Sequence, residues 1–213
     1  MRNRSKRIVE LAEKLPVFTF DDFSGVEKNR DYLCLILHRC VKSGLFLRLK
    51  KGVYTTSLYA EKMKNRGEMD VFLNFLSGFL YSPSYLSLET ILYRHNLLTE
   101  IPQNFTSVTR NKTAAFTNKL GRFFYHKIKD ELFCGFKIVG KNEFSIFEAT
   151  PAKALFDFLY LRRNFLNSKG AFKGLRINAE NLTKSDLREI EKYVKISGLE
   201  KMKKISGYLK ASR

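Results

Sequence analysis

The residues of this 213-residue sequence whose types and spacing suggest chemistry are mainly basic side chains in two short segments. The first segment has helical periodicity, and its polar side chains include Lys28, Asn29, Arg30, His38, Arg39 and Lys42. The second is a short hairpin, with Arg48, Lys50 and Lys51. Cationic side chains neutralise phosphates, and polar side chains at the start of a helix can reach base edges in a DNA groove. The sequence therefore predicts these nine residues as a DNA-binding set.

Three predicted helices and the hairpin position this set. Helical spacing predicts helices over residues 5–15, 20–23 and 29–43, and alternation predicts strands over 46–49 and 53–56. The apolar face of the third helix comprises Leu33, Ile36, Leu37, Cys40 and Val41. Three helices followed by a hairpin with a basic tip is the order of a winged helix-turn-helix module. The alternative is a small helical subdomain whose charges are merely solvated.

The net charge of the whole chain also favours an acidic partner. The sequence has 39 Lys and Arg against 21 Asp and Glu, a formal charge of +18, and it contains 19 Phe. Such a basic chain favours a polyanionic partner, while its aromatic content excludes a disordered basic tail. Residues 1–57 hold 12 bases and 6 acids, so most of the excess lies further along. The second part of the chain either contacts the DNA backbone too or faces another acidic partner, such as RNA or a protein.

No catalytic motif accompanies the basic residues. The sequence lacks a phosphate-binding loop, a dinucleotide-binding fingerprint, a nucleophile elbow and a zinc-protease helix. Its three cysteines form no CxxC pair, and the lone His95 has no nucleophile partner. We therefore expect no catalytic residue, no cofactor, no metal site and no enzymatic activity.

One enzymatic alternative rests on acidic residues of the second half. Asp130, Glu131 and Glu143, with Lys137, are the residue types of a nuclease-like magnesium site. Nothing in their spacing forces them together, and turns rich in exposed acids have the same composition. A nucleic-acid-modifying enzyme and an RNA-binding protein, each with a basic second domain, are therefore the alternatives to a DNA-binding regulator.

The chain as a whole predicts an α+β fold in two domains. Residues 1–57 form the winged helix-turn-helix domain, residues 58–70 a linker, and residues 71–213 a larger α+β domain. Aromatic and β-branched runs predict a mostly antiparallel sheet over 105–109, 114–117, 122–127, 133–139 and 144–149. Helix starts are predicted at Ser87, at Thr150-Pro151, and at two capping-box spacings, Thr183 with Asp186 and Ser197 with Glu200.

Membrane insertion and secretion are not expected. Residues 71–88 carry no charge, but Pro83 and several polar residues interrupt them, which predicts a buried core segment rather than a membrane span. Residues 1–7 are basic yet lead into an amphipathic pattern without the apolar run of a signal peptide. The expected location is the cytoplasm.

Several segments together resemble one protein family. They are residues 47–54 (LRLKKGVY), 83–92 (PSYLSLETIL), 95–102 (HNLLTEIP), 106–110 (TSVTR) and 149–157 (ATPAKALFD). This set is similar to the AbiEi-type antitoxins of bacterial abortive-infection (type IV) toxin-antitoxin systems, which also act as transcriptional regulators. The resemblance covers most of the chain. Asn96 and Ala152 depart from the family, which usually has glycine and glutamate there, but asparagine tolerates the left-handed backbone that glycine adopts.

The resemblance implies a function for each domain. The N-terminal winged helix would bind double-stranded operator DNA upstream of its own operon and repress it, which makes the protein an autorepressor. The C-terminal domain would counteract a cognate nucleotidyltransferase-like toxin, as an antitoxin in phage defence, and stable contact with that toxin is not implied. The residues themselves support only the DNA-binding half of this expectation.

Overall fold

The structure of this chain, a computed structural model, describes residues 3–212. Nine α-helices, nine strands and three short 3-10 helices make up this part of the chain, which has an α+β fold. The chain divides into two compact units. Unit 1 comprises the described residues up to Leu73 with the segment Phe116–Arg122, and unit 2 comprises Asn74–Ala115 with the residues from Phe123 onward.

Unit 1 begins with two helices and a small sheet. Helix α1 (Asn3–Ala12) is followed by strand β1 (Phe18–Thr19), a 3-10 helix (Asp21–Phe23) and helix α2 (Arg30–Lys42). Strands β2 (Phe46–Lys50) and β3 (Val53–Thr56) then form an antiparallel hairpin. Strand β1 pairs with β3, which gives the sheet order β1-β3-β2. The predicted helices and hairpin are therefore present, the second helix as a single 3-10 turn.

An aromatic cluster forms the core of unit 1. The ring of Phe18 is fully buried, and its centroid lies 4.9 Å from that of Phe46 and 5.3 Å from that of Phe23. Edge-on contacts of this kind add to the burial of large apolar side chains, which stabilises the core most. The inward side of α2 packs against the cluster through residues that its periodicity predicted: Leu33, Ile36, Leu37 and Cys40.

Helical structure occupies most of the region that the sequence predicted as a linker. Helix α3 (Ser57–Asn65) starts directly after β3, and Oγ1 of Thr56 caps it by accepting a hydrogen bond from the main-chain N–H of Tyr59. Helix α4 (Met69–Leu80) follows after a turn. Helix α4 contributes residues to both units. Residues 58–70 are thus mainly helical.

A six-stranded sheet is the framework of unit 2, although the tip of its β6–β7 hairpin belongs to unit 1. Its strands are β4 (Ser84–Leu86), β5 (Phe105–Thr109), β6 (Ala114–Asn118), β7 (Gly121–Lys127), β8 (Phe136–Lys141) and β9 (Phe144–Ala149), in the order β6-β7-β5-β4-β9-β8. The pairs β4–β5 and β8–β9 are antiparallel, but β4–β9 and β5–β7 are parallel. The expected mostly antiparallel sheet is therefore corrected to a mixed one, because alternation identifies strands but not their neighbours.

Five further helices belong to unit 2. They are α5 (Leu88–Arg94), α6 (Pro151–Arg162), α7 (Lys169–Lys173), α8 (Lys184–Ser197) and α9 (Glu200–Lys210). The predicted caps at Thr150 and Thr183 are confirmed, the latter as a complete capping box. The capping box predicted from Ser197 and Glu200 is wrong, because Ser197 still belongs to α8. That helix ends at Gly198 in a left-handed conformation, with a φ of 64°.

The end of α5 follows its prediction. Asn96 comes after this helix with a φ of 55°, the left-handed conformation that asparagine tolerates. Its main-chain oxygen accepts hydrogen bonds from the side-chain amides of Asn178, at 3.0 Å, and Asn181, at 2.8 Å. These bonds hold the segment that precedes α8 against the end of α5.

Within residues 3–212, no helix has both the length and the apolar character needed to cross a lipid bilayer. The uncharged stretch 71–88 forms most of α4, a turn and strand β4, and Leu76 and Tyr85 within it are fully buried. The prediction of a buried core segment at this place is confirmed.

Candidate nucleic-acid interface

The buried and basic residues of α2 separate as predicted. Its inward residues are almost fully buried, whereas Arg30, His38, Arg39 and Lys42 are exposed. Arg30 and Lys42 are roughly 18 Å apart along the axis, because a helix rises about 1.5 Å per residue. Asp31 is an exposed acid in the first turn, where the helix dipole favours it. The outward side of α2 therefore carries basic residues along its length.

Two polar residues hold the start of α2. Oδ1 of Asn29 accepts a hydrogen bond from the main-chain N–H of Tyr32, 3.0 Å away, and so caps the helix. The main-chain N–H of Asn29 donates to Oε1 of Glu27 at 2.9 Å. Lys28 lies between the two and is exposed. Asn29 of the predicted DNA-binding set therefore has a structural role as well.

Glu27 is the buried carboxylate of this segment. It is 6% exposed, and its Oε2 accepts a hydrogen bond from the guanidinium of Arg4 in α1 at 3.2 Å. The hydrogen bond from the Asn29 N–H lowers the pKa of Glu27, burial opposes this, and the bond and charge of Arg4 lower the pKa further. A charged Glu27 thus ties α1 to the segment that starts α2.

The hairpin presents its basic residues unequally. Arg48 on β2 and Lys51 in the turn are exposed, and Gly52 completes the turn with a φ of 77°, which favours glycine. Lys50 is half-buried, and its Nζ lies 5.7 Å from the centroid of the Phe116 ring. Lys51 therefore has more freedom to meet a ligand than Lys50.

The segment Phe116–Arg122 supports this hairpin within unit 1. Phe116 provides the ring beside Lys50, and Nδ2 of Asn118 donates a hydrogen bond to the main-chain oxygen of Leu49 at 3.1 Å. From the sequence, these residues are expected only as part of the sheet of the second domain. The alternation that identifies β6 holds no information about a contact with a residue 69 positions earlier.

This arrangement can contact two parts of a DNA duplex. A helix fits the major groove of B-DNA, which is about 12 Å wide, and side chains near its start can reach base edges. Lysines at a hairpin tip neutralise phosphates but carry no sequence information. Arg30 is thus placed for base contacts and Lys51 for phosphate contacts. The residues available for either kind of contact are Lys28, His38, Arg39, Lys42 and Arg48.

A second basic row lies in unit 2, on helix α8. Lys184, Arg188 and Lys192 follow one another at intervals of four residues, Lys195 extends the row, and all four are exposed. Such intervals place side chains on one side of a helix, about 6 Å apart along its axis. The excess of basic residues in this part of the chain is evident from composition. The four-residue spacing, which is also present in the sequence, is the signal that identifies the row.

The acidic residues of the enzymatic alternative lie on the surface. Asp130 and Glu131 belong to a 3-10 helix, Glu143 lies between β8 and β9, and all three are exposed, as is Lys137. In the part of the chain that the structure describes, no group of three or more His, Cys, Asp or Glu side chains is arranged to hold a metal ion. His95 is exposed at the end of α5.

The segments that carry the family resemblance meet inside unit 2. Lys153 and Asp157 of α6 form an ion pair in which both side chains are completely buried. Oδ2 of Asp157 also accepts hydrogen bonds from the hydroxyls of Tyr85, at 3.0 Å, and Ser87, at 2.8 Å. Ser87 lies at the predicted helix start but does not cap it through its side chain, because that hydroxyl is bound to Asp157.

Aromatic rings surround the ammonium group of Lys153. Its Nζ lies 5.1 Å from the ring centroid of Phe156, 5.2 Å from that of Tyr193 and 5.7 Å from that of Tyr85. Burial raises the pKa of Asp157, and the attraction of Lys153 and the hydrogen bonds to the carboxylate oppose that rise. An ion pair of this kind is costly to bury and more costly to break, so these residues act in the folding of unit 2.

A second set of hydrogen bonds joins two of these segments. Oγ1 of Thr106 donates to the main-chain oxygen of Ser87 at 3.0 Å and lies 3.0 Å from Oγ1 of Thr90. Oγ1 of Thr109 donates to the main-chain oxygen of Pro83 at 2.7 Å. The polar residues of the motifs are thus buried against each other, which accounts for their types through folding.

No protein-family model matches the chain, and no curated protein matches it significantly. The assignment of a function therefore depends on the residues and geometry described above and on the resemblance of the motifs.

Proposed function

We propose that this protein is a DNA-binding transcriptional autorepressor and antitoxin of a bacterial abortive-infection toxin-antitoxin system, acting in the cytoplasm. One observation carries the DNA-binding half: the outward side of α2 and the tip of the adjoining hairpin are both basic and exposed. The antitoxin half rests on the resemblance of the motifs to AbiEi-type antitoxins.

The order and pairing of elements in unit 1 support a winged helix-turn-helix. In that module a shorter helix precedes the helix that enters the major groove, and a hairpin follows. The 3-10 helix and α2 are the counterparts of the two helices, and β2–β3 is the counterpart of the wing. The pairing of β1 with β3 adds the third strand that anchors such a hairpin to the core.

The exposed residues differ in what they contribute to binding. Residues at the start of α2, above all Arg30, contact base edges and discriminate between sequences. Arg48 and Lys51 of the hairpin neutralise phosphates, and each such contact steepens the dependence of affinity on salt. His38, Arg39 and Lys42 extend the contact along α2.

The basic row on α8 is the observation that favours a second candidate, an RNA-binding protein. A row of cations spaced by one helical turn can follow a phosphate backbone, whether it belongs to duplex DNA or to RNA. A preference for single-stranded RNA over duplex DNA that is lost in Lys184→Ala/Arg188→Ala/Lys192→Ala would favour this candidate. Equal affinity of that variant and the unmodified chain for RNA would count against it.

Reporter expression and growth together test the proposed function. The full chain is expected to lower expression from the DNA upstream of its own gene and, separately, to restore growth of cells that express the toxin encoded beside it. Arg30→Ala/Lys51→Ala is expected to lose repression but to keep the restoration of growth, because both changes lie in unit 1.

A matched double variant provides the control. Lys64→Ala/Arg66→Ala removes two exposed cations of unit 1 that lie outside α2 and the hairpin, and it is expected to keep repression. Equal loss of repression in both double variants would reduce the DNA-binding set to general charge. Full repression in both would contradict the roles given to α2 and the hairpin. Intact repression without restoration of growth would contradict the antitoxin half alone.

A further inference from the structure

Unit 2 contains a cavity of about 400 Å³ between helix α4, the segment that leads into β4, and strand β9. Phenylalanine rings form much of its wall: Phe75, Phe79, Phe133, Phe136 and Phe147. These rings contact one another, with centroid distances of 5.3 Å between Phe133 and Phe136 and 6.0 Å between Phe136 and Phe147. A cavity of this size with an aromatic lining is typical of a site for a small molecule.

Two buried oxygen atoms in residues of the cavity wall have no hydrogen-bond partner in the described part of the chain. They are Oδ1 of Asn74 and Oγ of Ser84, in residues that are 3% and 7% exposed. Buried polar atoms are nearly always paired, and an unpaired one destabilises the folded state. A ligand that brings an N–H or O–H donor to these oxygens supplies the missing partner.

The composition of the wall selects against charged ligands. Among the described residues that line the cavity, none is Asp, Glu, Lys or Arg. A charged ligand would lose its hydration there without gaining a counter-ion. An aromatic ligand, by contrast, can pack edge-on or offset against the phenylalanine rings, with centroids about 4.5–7 Å apart.

We propose that this cavity binds a small, uncharged aromatic molecule with one hydrogen-bond donor, of the indole or phenol class. Its ring packs among the phenylalanines, and its N–H or O–H donates to Oδ1 of Asn74 or to Oγ of Ser84. The ligand also covers Phe79 and Phe147, which are 42% and 40% exposed. This site does not depend on the proposed DNA-binding function.

Indole is the probe that tests the proposal, with 1-methylindole as its matched control. Both have the same ring system, but the methyl group of 1-methylindole replaces the donor. Because the chain contains no tryptophan, indole fluorescence can be excited selectively. Indole is expected to bind the full chain saturably, and 1-methylindole about five- to tenfold more weakly, as the loss of one hydrogen bond predicts.

Gly78 allows the cavity to be filled without disturbing α4. It lines the cavity, a β-carbon built on it meets no atom within 4 Å, and leucine is a better helix former than glycine. Gly78→Leu is therefore expected to fold and to weaken indole binding about tenfold or more. Gly207→Leu is the matched control, because Gly207 lies in α9, outside the cavity wall, and its surroundings are equally open. It should bind indole like the unmodified chain.

A second variant tests the hydrogen bond. Asn74→Leu/Ser84→Ala removes both unpaired oxygens and is expected to bind indole and 1-methylindole with equal affinity. Thermal unfolding of each variant identifies those that are folded. The absence of saturable indole binding, equal binding of the two ligands by the unmodified chain, or unchanged indole binding by folded Gly78→Leu would each overturn the proposal.

Discussion

Asn118 donates a hydrogen bond from its side-chain Nδ2 to the main-chain oxygen of Leu49, 3.1 Å away. The bond joins the hairpin that we propose to contact DNA to a segment 69 residues later in the chain. Lys50 follows Leu49, and its ammonium group faces the ring of Phe116 in the same segment. The position of the hairpin and the difference between its two lysines therefore depend on residues 116–122.

The two lysines of the hairpin are expected to respond differently to substitution. Lys51→Ala should weaken binding to all duplex sequences by a similar factor and lower the salt slope of binding by about one, because it removes an exposed phosphate contact. Lys50→Ala should change the slope less and lower the thermal stability of the chain, because its ammonium group contacts the Phe116 ring. Fluorescence anisotropy across a salt series measures the slopes. A larger change of slope in Lys50→Ala would contradict this difference.

Asn29 is expected to stabilise α2 apart from any contact with DNA. Asn29→Ala should lower the free energy of unfolding by about 1 kcal/mol, because it removes the oxygen that caps the helix. Asn29→Ser retains a capping oxygen and should recover most of that loss. Chemical denaturation followed by circular dichroism compares the variants. Equal stability of Asn29→Ala and the unmodified chain would show that the cap contributes nothing measurable.

Glu27 is expected to make part of the stability depend on pH. Its pKa is lowered in the folded state, so its contribution is present above the carboxylate range, roughly pH 4, and is lost as the pH falls through the folded-state value. Glu27→Gln should therefore be less stable than the unmodified chain at neutral pH, and this difference should shrink on acidification.

Thermal unfolding between neutral and acidic pH checks the expectation for Glu27. Glu13→Gln is the control, because Glu13 is an exposed carboxylate of the same unit. The control should differ little from the unmodified chain at any pH. A stability difference for Glu27→Gln that grows on acidification would contradict the assigned role of the charged carboxylate.

The buried ion pair of unit 2 is expected to be the most sensitive polar feature of the fold. Asp157→Asn should destabilise the chain by roughly 3–5 kcal/mol, because it leaves the ammonium group of Lys153 buried without a counter-charge. Tyr85→Phe removes one hydrogen bond to the pair and should cost about 1–2 kcal/mol. Denaturation midpoints measure both. An unchanged midpoint for Asp157→Asn would show that the pair is not needed for folding.

Features that depend on neighbouring residues could be predicted from the sequence. The caps at Thr150 and Thr183, the left-handed Asn96 and the buried side of α2 each follow from residues within a few positions of one another. The boundaries of β5 and β9 agree with their alternating patterns for the same reason. Local chemistry decides these features, because the backbone conformation and the burial of one face are set within a single element.

Features that depend on distant residues could not be predicted. Ser87 has the residue type of a helix cap, yet its hydroxyl binds Asp157, 70 residues later. The support of the hairpin by Asn118 and the parallel pairing of β5 with β7 also join parts of the chain that no local pattern relates. Competition between local and distant partners is settled by packing, which composition and spacing do not encode.

Binding of the purified full chain to the DNA upstream of its own gene, compared with scrambled DNA of equal length across a salt series, tests the central claim most directly. We expect tighter binding to the upstream DNA at every salt concentration, and a loss of this preference in Arg30→Ala. Equal, weak binding to both DNAs that collapses together as salt rises would contradict the claim and leave only a basic surface.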